Sequence, residues 1–289
     1  MPYPRAYWKS SLMSDVLVVG IIGGFGGMGR LFAGVFERAG HKVLISGRNT
    51  CPSNSDLAGV CDVVIVSVPI HETVKVIEEI APLMNSDQIL CDFTSVKLEP
   101  VKAMLKSEAK VIGLHPMFGP SVSGIKGQTI VATPVRCDRK SEEMLYQIFR
   151  NEGADVCIMT PEEHDRITGI VQGLVHFATL SVADTIRNSG ISPEAILPVM
   201  SPVYRIEMGL IGRILGQDAA LYGDILQMNP ASETVIENFC KSAGKLKDIV
   251  KSKDRKLFES FFNENEKAFH DYIPQATKDT DTVIEALVK

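Results

Sequence analysis

The chain has 289 residues, 45% of them hydrophobic and 22% charged, which is the composition of a soluble globular protein of one large or two moderate domains. A formal net charge of −5 excludes the basic footprint of a nucleic-acid-binding protein, and we expect no apolar stretch of membrane-spanning length. The six cysteines include no C-x-x-C pair and the first dozen residues lack a signal-type apolar core, so we expect no metal site and a cytoplasmic location.

Up to about residue 160, short apolar strands alternate with helical patterns. This alternation predicts a doubly wound α/β domain, with a parallel sheet that is covered by helices on both faces and extended by the later strands. Cys61, Cys91 and Cys157 lie in or beside the apolar strands, so we expect their thiols to be buried. The expected strands span 16–22, 41–46, 62–68, 87–92, 110–114, 128–133 and 154–159, and the expected helices 27–39, 71–81, 97–107 and 140–151.

The pattern changes at Thr160, where Thr160-Pro161-Glu162-Glu163 has the features of a helix start. From there to the last residue we expect helices alone, at 161–188, 193–215, 217–227, 231–251 and 254–286. The first two are apolar on more than one face, which favours burial against both their own domain and a partner subunit. The chain therefore divides into an N-terminal extension (1–13), a dinucleotide-binding domain (14–160) and a helical domain (161–289).

A glycine-rich turn stands between the first strand and the first helix. The frame Gly24-x-Gly26-x-x-Gly29 is the dinucleotide fingerprint, in which the first glycine allows the tight turn and the second lets the backbone approach the pyrophosphate. The third glycine lets the helix pack closely, and the helix N-terminus faces the phosphates. The alternative is a glycine-rich turn without a ligand. The predicted cofactor contacts in this turn are Gly24, Phe25, Gly26, Gly27, Met28 and Gly29.

The end of the second strand favours NADP over NAD, although NAD stays possible. Residues 46–50 contain no carboxylate to accept from a ribose 2′-hydroxyl, whereas Arg48 can pair with a 2′-phosphate, with Ser46 and Thr50 as neutral donors. A charge-assisted contact of about 1.5–3 kcal/mol gives roughly a 10- to 100-fold preference. The alternative for Arg48 is a solvated surface arginine. Val68 and Pro69, at the end of the third expected strand, complete the predicted cofactor contacts.

Two segments that follow strands carry candidate catalytic residues. His115 directly follows the apolar strand 110–114 and begins the loop His-Pro-Met-Phe-Gly-Pro, at the edge of the sheet where ligands of open α/β folds bind. Its intrinsic pKa near 6.5 suits a general base, and the alternative is a structural histidine that bonds a loop carbonyl. Ser95, in Asp92-Phe-Thr-Ser-Val-Lys97, can donate a hydrogen bond into the same crevice or serve as a helix N-cap.

The helical half contains polar residues on apolar helices. Gln172 and His176 are four residues apart and so share a helix face, where they either line a site or form a satisfied core pair. Arg205 has acidic neighbours, whereas Arg213 has only Asp218 nearby in sequence. An arginine on an apolar helix needs a partner, so Arg213 either binds an anionic substrate or forms a structural ion pair.

Together these segments resemble the prephenate/arogenate dehydrogenase family of tyrosine biosynthesis. The matching motifs are Gly-Gly-x-Gly-x-Met-Gly, Asp-x-Thr-Ser-Val-Lys and His-Pro-Met-Phe-Gly-Pro in the first half, and Gln-Gly-Leu-x-His-Phe-Ala, Ser-Pro-x-Tyr-Arg and Ile-Gly-Arg-x-x-Gly-Gln-Asp in the second. They occur in family order from about residue 16 to residue 230. The resemblance implies a Rossmann-type domain followed by a helical substrate-binding and dimerisation domain, with the active site in the cleft between the halves.

The resemblance also implies an NAD(P)-dependent oxidoreductase that decarboxylates prephenate to 4-hydroxyphenylpyruvate, or arogenate to tyrosine. His115 would take the proton of the ring hydroxyl, and Ser95 would bond that hydroxyl and orient His115. Arg213 would pair with the ring carboxylate, and His176 with Gln172 would line the substrate pocket. The implied partners are the small-molecule substrate and a second copy of the chain, with no nucleic acid and no membrane.

Some features of the chain depart from other members of the family. Ser121 follows the His115 loop where some members carry an acidic residue, so no carboxylate is offered to the ammonium of arogenate, which favours prephenate. The pair Gly47-Arg48 departs from NAD-preferring members. We expect a stand-alone form without a fused chorismate mutase or a regulatory domain. The alternatives are an arogenate dehydrogenase, another NADP-linked reductase with a helical dimer domain, and a catalytically silent NADP-binding regulator.

Overall fold

The computed structural model describes residues 16–288 and divides into two compact units. The first unit comprises residues 16–168 together with Met228–Pro230, and the second comprises the remaining described residues from Gly169 onward. The helix that was predicted to open the helical domain thus belongs to the first unit as far as Thr168. The predicted N-terminal extension, residues 1–13, lies outside the described residues.

All seven predicted strands are present in the first unit and form one sheet in the order β2-β1-β3-β4-β5-β6-β7. The first five are parallel, as expected, but β6 pairs antiparallel with β5, and β7 is parallel to β6. The predicted parallel sheet is therefore confirmed over the first five strands and is extended by the later ones, but β6 runs in the opposite direction. The reason is the 117–128 loop, which returns the chain without a crossover helix. The strands are β1 Val18–Ile22, β2 Lys42–Ser46, β3 Val63–Val66, β4 Ile89–Asp92, β5 Lys110–Pro116, β6 Thr129–Arg136 and β7 Asp155–Ile158.

Helices cover both faces of this sheet, as the alternation predicts. Phe32, Phe36 and Phe149 belong to the core on one face, and Leu57, Ile77 and Met104 to the core on the other. The short helix α2 was not predicted; it begins with a capping box in which Ser53 and Asp56 satisfy each other's backbone amides. The helices of this unit are α1 Gly27–Arg38, α2 Asn54–Val60, α3 Ile70–Ile80, α4 Leu98–Met104, α5 Arg139–Asn151 and α6 Pro161–Thr168.

The register of the parallel strands brings the functional segments to one edge of the sheet. Ile22 at the end of β1 pairs with Ser46 and with Val66, Val66 pairs with Asp92, and Asp92 pairs with Gly113. The segments that follow these residues leave the sheet side by side. They are the glycine-rich turn, the Arg48 loop, the Ser95 segment and the His115 loop.

The second unit is helical in every described element. A π-helical segment, Gly169–Leu174, continues α6 into α7, and the predicted helices 193–215 and 254–286 are each interrupted. The π segment packs on α11: an ideal Cβ on Gly169 would lie 2.9 Å from Ala231 Cβ, and one on Gly173 2.9 Å from Ser232 Oγ. The helices are α7 Val175–Ser189, α8 Pro193–Ile196, α9 Pro202–Leu215, α10 Ala219–Met228, α11 Ser232–Ser252, α12 Arg255–Phe269 and α13 Ile273–Val288.

Two expectations about burial and hydropathy need correction. Cys61 and Cys91 are buried, and burial raises the pKa of Cys61 to about 12, but Cys157 is exposed because β7 is the edge strand of the sheet. The continuous helix Pro161–Ser189 has 29 residues and a window of mean hydropathy 1.2, so by length and composition alone it could cross a membrane. Core helices of soluble proteins meet the same criterion but are mostly buried, whereas 17% of this window is buried in the described structure.

Candidate active site

The three glycines of the fingerprint have the geometry that a dinucleotide site needs. An ideal Cβ on Gly24 would lie 2.5 Å from the side chain of Ile45, and one on Gly29 would lie 2.6 Å from Gly24 Cα, so both positions require close backbone approach. An ideal Cβ on Gly26 would have Gly23 O, at 3.3 Å, as its nearest neighbour, so the outer side of Gly26 is open. Gly26 is the N-cap of α1, so the first amides of this helix have no side-chain cap.

A cleft of about 320 Å³ adjoins this turn. It combines exposed backbone at a helix N-terminus with one guanidinium, an arrangement that accepts phosphate groups. Phe25 is half-exposed beside it, and its ring lies 3.0 Å from an ideal Cβ on Gly47. Met28 packs against the core under α1. The lining includes Gly23, Gly26, Arg48, Asn54, Val68, Pro69 and Glu72.

Ser46 and Thr50, which were predicted as donors to a 2′-phosphate, shape the Arg48 loop in this structure. Ser46 is fully buried and its hydroxyl donates to Asn54 Oδ1 at 2.8 Å. Thr50 Oγ1 accepts from the amide of Gly47 at 2.9 Å. Asn54, which lines the cleft, was missed from the sequence because the short helix α2 has no clear periodicity.

The His115 loop lies directly over the glycine-rich turn. An ideal Cβ on Gly27 would be 2.7 Å from Pro120 Cβ, so the absence of a side chain at position 27 allows this contact. His115 is next to last in β5 and is 2% exposed. Burial, with His164 and Lys97 nearby, holds the pKa of His115 well below its usual range, so the imidazole is neutral at pH 7.

His164 and Asp165, which sequence reasoning missed, form a hydrogen-bonded row with His115. His164 Nε2 lies 2.8 Å from His115 Nδ1, and His164 Nδ1 lies 2.7 Å from Asp165 Oδ1. Both residues are buried on α6. Their only sequence signal is two adjacent polar residues that follow the predicted helix start, and the sequence does not show that α6 packs beside β5.

A fully buried lysine ties the ends of β4 and β5 together. Lys97 Nζ pairs with the carboxylate of Asp92 and donates to Leu114 O at 2.8 Å. Burial lowers the pKa of Lys97, against the opposing effect of Asp92. Gly113 makes room for it, since an ideal Cβ there would lie 3.0 Å from Lys97 Cδ. Lys97 belongs to the Asp-x-Thr-Ser-Val-Lys motif, but sequence reasoning gave it no role.

Ser95 is half-buried in the turn between β4 and α4. The N-cap of α4 is Lys97, so the alternative role of Ser95 as the cap of this helix is wrong. Ser95 lies in the same segment as Asp92 and Thr94, whose side chains are hydrogen-bonded to each other.

The polar residues of the helical domain lie in the second unit. Gln172 is in the π segment, and π turns are frequent at functional sites. The ring of His176 packs edge-on against Tyr222, 4.9 Å between centroids, and its buried Nδ1 has no hydrogen-bond partner among the described residues. Arg213 is exposed on α9 and influences Tyr222: burial raises the pKa of Tyr222 and the Arg213 guanidinium opposes this rise. His176, Tyr222 and Arg213 thus form one polar group.

The chain is similar to proteins of one family along almost its whole length. The family descriptions "Prephenate dehydrogenase, nucleotide-binding domain" and "Prephenate dehydrogenase, dimerization domain" match residues 37–158 and 160–283. The T-protein of Haemophilus influenzae is 33% identical over 276 residues, which cover 95% of this chain and 73% of that protein. A probable arogenate/prephenate dehydrogenase of Methanocaldococcus jannaschii is 36% identical over 94% of this chain, which spans 65% of that relative's length.

Among solved structures, the fold is similar to that of prephenate dehydrogenase from Aquifex aeolicus in complex with hydroxyphenyl propionate and NAD+. The TM-score is 0.70 at 24% identity, and the alignment covers 90% of this chain and 99% of that one. At this identity the similarity establishes the Rossmann-type fold with its helical second domain.

Proposed function

The chain belongs to the prephenate dehydrogenase family, and from this premise we propose that it catalyses the NADP-dependent oxidative decarboxylation of prephenate to 4-hydroxyphenylpyruvate, a step of tyrosine biosynthesis. One observation carries the proposal. The loop that begins with the buried, neutral His115 lies on the glycine-rich turn, where Pro120 approaches Gly27. A base and a dinucleotide turn are therefore neighbours within one compact unit.

The cleft beside the glycine-rich turn fits an NADP cofactor. Gly26 and the uncapped amides of α1 would hold the pyrophosphate, and Arg48 would pair with the 2′-phosphate. When bound, the cofactor supplies the hydride acceptor. NAD is the alternative cofactor, and Glu72 in the cleft lining is the one acidic group there that would disfavour a 2′-phosphate.

In this reaction His115 is the general base. A ring nitrogen of His115 accepts the proton of the substrate hydroxyl as hydride leaves the same carbon, which becomes a carbonyl. The ring carboxylate then departs as carbon dioxide, and its bonding electron pair makes the ring aromatic. The phenolate oxygen recovers the proton from His115, so the enzyme returns to its starting state. Ser95 would donate to the reacting hydroxyl.

Arg213 is the proposed partner of the ring carboxylate. It is an exposed guanidinium on α9 in the same polar group as His176 and Tyr222, and its ordinary alternative, an ion pair with Asp218, is not among the ion pairs of the described residues. Asp218 instead accepts from the backbone amide of Ala220 at 2.9 Å. His176 and Gln172 would line the same substrate pocket.

Arogenate is the second candidate substrate. The name of the Methanocaldococcus jannaschii relative includes both activities, so the family does not decide between them. Ser121 favours prephenate, since a neutral residue offers nothing to the ammonium group that distinguishes arogenate.

We also propose that the chain acts in the cytoplasm as a homodimer formed through its helical domain. The match to a dimerization domain supports this, as do large apolar side chains that are exposed on the last two helices. They include Leu257, Phe258, Phe262 and Phe269 on α12, and Ile273, Val283 and Leu287 on α13.

The test of the base assignment is His115→Asn, assayed as NADP reduction with prephenate. We expect kcat to fall roughly 100- to 10,000-fold, the usual contribution of a positioned general base, with NADP binding unchanged. An unchanged kcat would show that His115 is a structural histidine.

A further inference from the structure

Three buried side chains form a continuous hydrogen-bonded row that ends at His115. Asp165 Oδ1 lies 2.7 Å from His164 Nδ1, and His164 Nε2 lies 2.8 Å from His115 Nδ1. The two imidazole rings meet edge to face, with an interplanar angle of 63°. The row joins residues 49 positions apart in sequence, within the first unit.

Asp165 stands at the end of the row as a hydrogen-bond acceptor. Its Oδ1 accepts from the backbone amide of Lys97 at 2.8 Å, and its Oδ2 from the amide of Leu98 at 3.0 Å. A carboxylate that receives both amides has no proton to give, so the hydrogen atom between Asp165 and His164 belongs to His164 Nδ1. The two amides also fix the carboxylate in place at the first turn of α4.

The direction of each remaining hydrogen bond follows from this one. Burial lowers the pKa of His164 and of His115, so both rings are neutral at pH 7. A neutral ring with its proton on Nδ1 has an unprotonated Nε2, so His164 accepts from His115. The proton of His115 is then on Nδ1, and its lone pair is on Nε2.

We infer that His164 and Asp165 are positioning residues that hold His115 in the tautomer with an unprotonated Nε2, which is the nitrogen that accepts the substrate proton. This inference rests on the proposed function for the identity of that proton, but the tautomer itself is a property of the resting protein. The arrangement also determines the orientation of the ring, because rotation of His115 about its Cβ–Cγ bond would break the contact with His164.

Burial, with His164 and Lys97 nearby, lowers the pKa of His115, but the row still gives the protonated ring a hydrogen-bond acceptor during turnover. Once Nε2 takes up a proton, the Nδ1–H group donates from a cation to the neutral His164 Nε2, and charge-assisted bonds are about twice as strong as neutral ones. Burial lowers the pKa of His164, and the Asp165 carboxylate opposes this through its hydrogen bond and its charge. The buried Asp92 carboxylate, which pairs with Lys97, also raises the pKa of His164.

The first test is the tautomer in the resting enzyme, without substrate. Protein with 15N-labelled histidine is studied by long-range 1H–15N correlation NMR at pH 7, and the His115 ring among the six histidines is assigned with His115→Asn. We expect His115 to have a protonated Nδ1 and an unprotonated Nε2. A protonated Nε2 in the wild-type protein would overturn the inference.

The second test separates hydrogen bonding from packing. His164→Gln keeps an amide oxygen that can accept from His115 Nδ1, whereas His164→Leu fills the space without an acceptor. We expect His164→Leu to lose roughly 100-fold in kcat and His164→Gln to stay within about tenfold of the wild type. KM for prephenate and the Kd of NADP should stay within about twofold in both variants. In the NMR spectrum of His164→Leu, the ring signals assigned to His115 should no longer correspond to a single tautomer.

A matched control is His270→Gln, which removes a histidine that is paired with Glu266 but exposed. It should leave kcat unchanged. Equal losses of kcat in His164→Gln and His164→Leu, in proteins with wild-type melting temperatures, would show that His164 acts through its shape alone and would refute the positioning role. If the wild-type enzyme has the expected tautomer but turns over neither prephenate nor arogenate, the proposed function fails while the tautomer assignment stands.

Discussion

The buried ion pair between Lys97 and Asp92 makes a strong prediction about stability. Lys97 is fully buried, and its ammonium group binds Asp92 and the carbonyl oxygen of Leu114. In Lys97→Met the side chain keeps a similar length and fills the same space, but the hydrogen bonds of Lys97 Nζ to Asp92, Thr94 and Leu114 are lost. Asp92 then keeps only the contacts from Thr94, and its Oδ1 is already buried without a partner.

The magnitude follows from the burial of both partners. Removal of one member of a buried pair leaves an uncompensated charge and costs about 3–5 kcal/mol. The double variant Asp92→Asn, Lys97→Met removes both charges, so it should be more stable than Lys97→Met alone. The matched surface control is Lys106→Met, which breaks the exposed pair with Glu78 at 2.6 Å. Lys106→Met should lower the free energy of unfolding by less than about 1 kcal/mol.

The assay is urea denaturation of the four proteins, followed by far-UV circular dichroism at pH 7. The free energy of unfolding should fall in the order wild type and Lys106→Met, then the double variant, then Lys97→Met. If Lys97→Met lowers the free energy of unfolding by less than about 1 kcal/mol, the prediction is wrong, because the buried Lys97–Asp92 pair would then contribute no more than a solvated surface pair.

Three further predictions concern the cofactor, the substrate and pH. Arg48→Ala should raise the Kd of NADP roughly 10- to 100-fold in a fluorescence titration and leave that of NAD unchanged, and equal weakening would show that Arg48 does not contact the 2′-phosphate. Arg213→Ala should mainly raise KM for prephenate, whereas a lower melting temperature with unchanged kinetics would make Arg213 structural. Because burial lowers the pKa of His115 and His164, the unfolded chain binds protons that the folded chain does not, and this begins as the pH falls through about 6.5. The free energy of unfolding should therefore be lower at pH 5.5 than at pH 7, by up to about 1.4 kcal/mol per pH unit for each histidine. Urea denaturation at both pH values measures this difference, and equal free energies of unfolding would contradict the prediction.

The sequence predicted the strands because each is a short, continuously apolar run bounded by turn residues. It did not predict the reversal of β6, since an apolar run does not reveal its direction and the 117–128 loop has no helical pattern to distinguish a crossover from a return. The helix α2 was missed because seven residues span only two turns. The breaks at 197–201 and near 270 were missed because the apolar pattern continues on both sides of them.

Much of the candidate site was accessible to sequence reasoning, because the fingerprint and the His115 loop combine composition with position at the end of a strand. Lys97, His164 and Asp165 could not be assigned in this way. Their roles depend on contacts across the fold, from α6 to β5 and to the first turn of α4, and nothing local distinguishes them from ordinary surface residues of a helix start.

The most direct test of the central proposal is reduction of NADP and of NAD by the purified protein, each with prephenate and with arogenate, followed at 340 nm. We expect rapid reduction with NADP and prephenate, and slower reduction in the other three combinations. Reduction with arogenate alone, or with NAD in preference to NADP, would correct the substrate or the cofactor. No reduction in any combination, by protein that binds NADP, would contradict the proposed function.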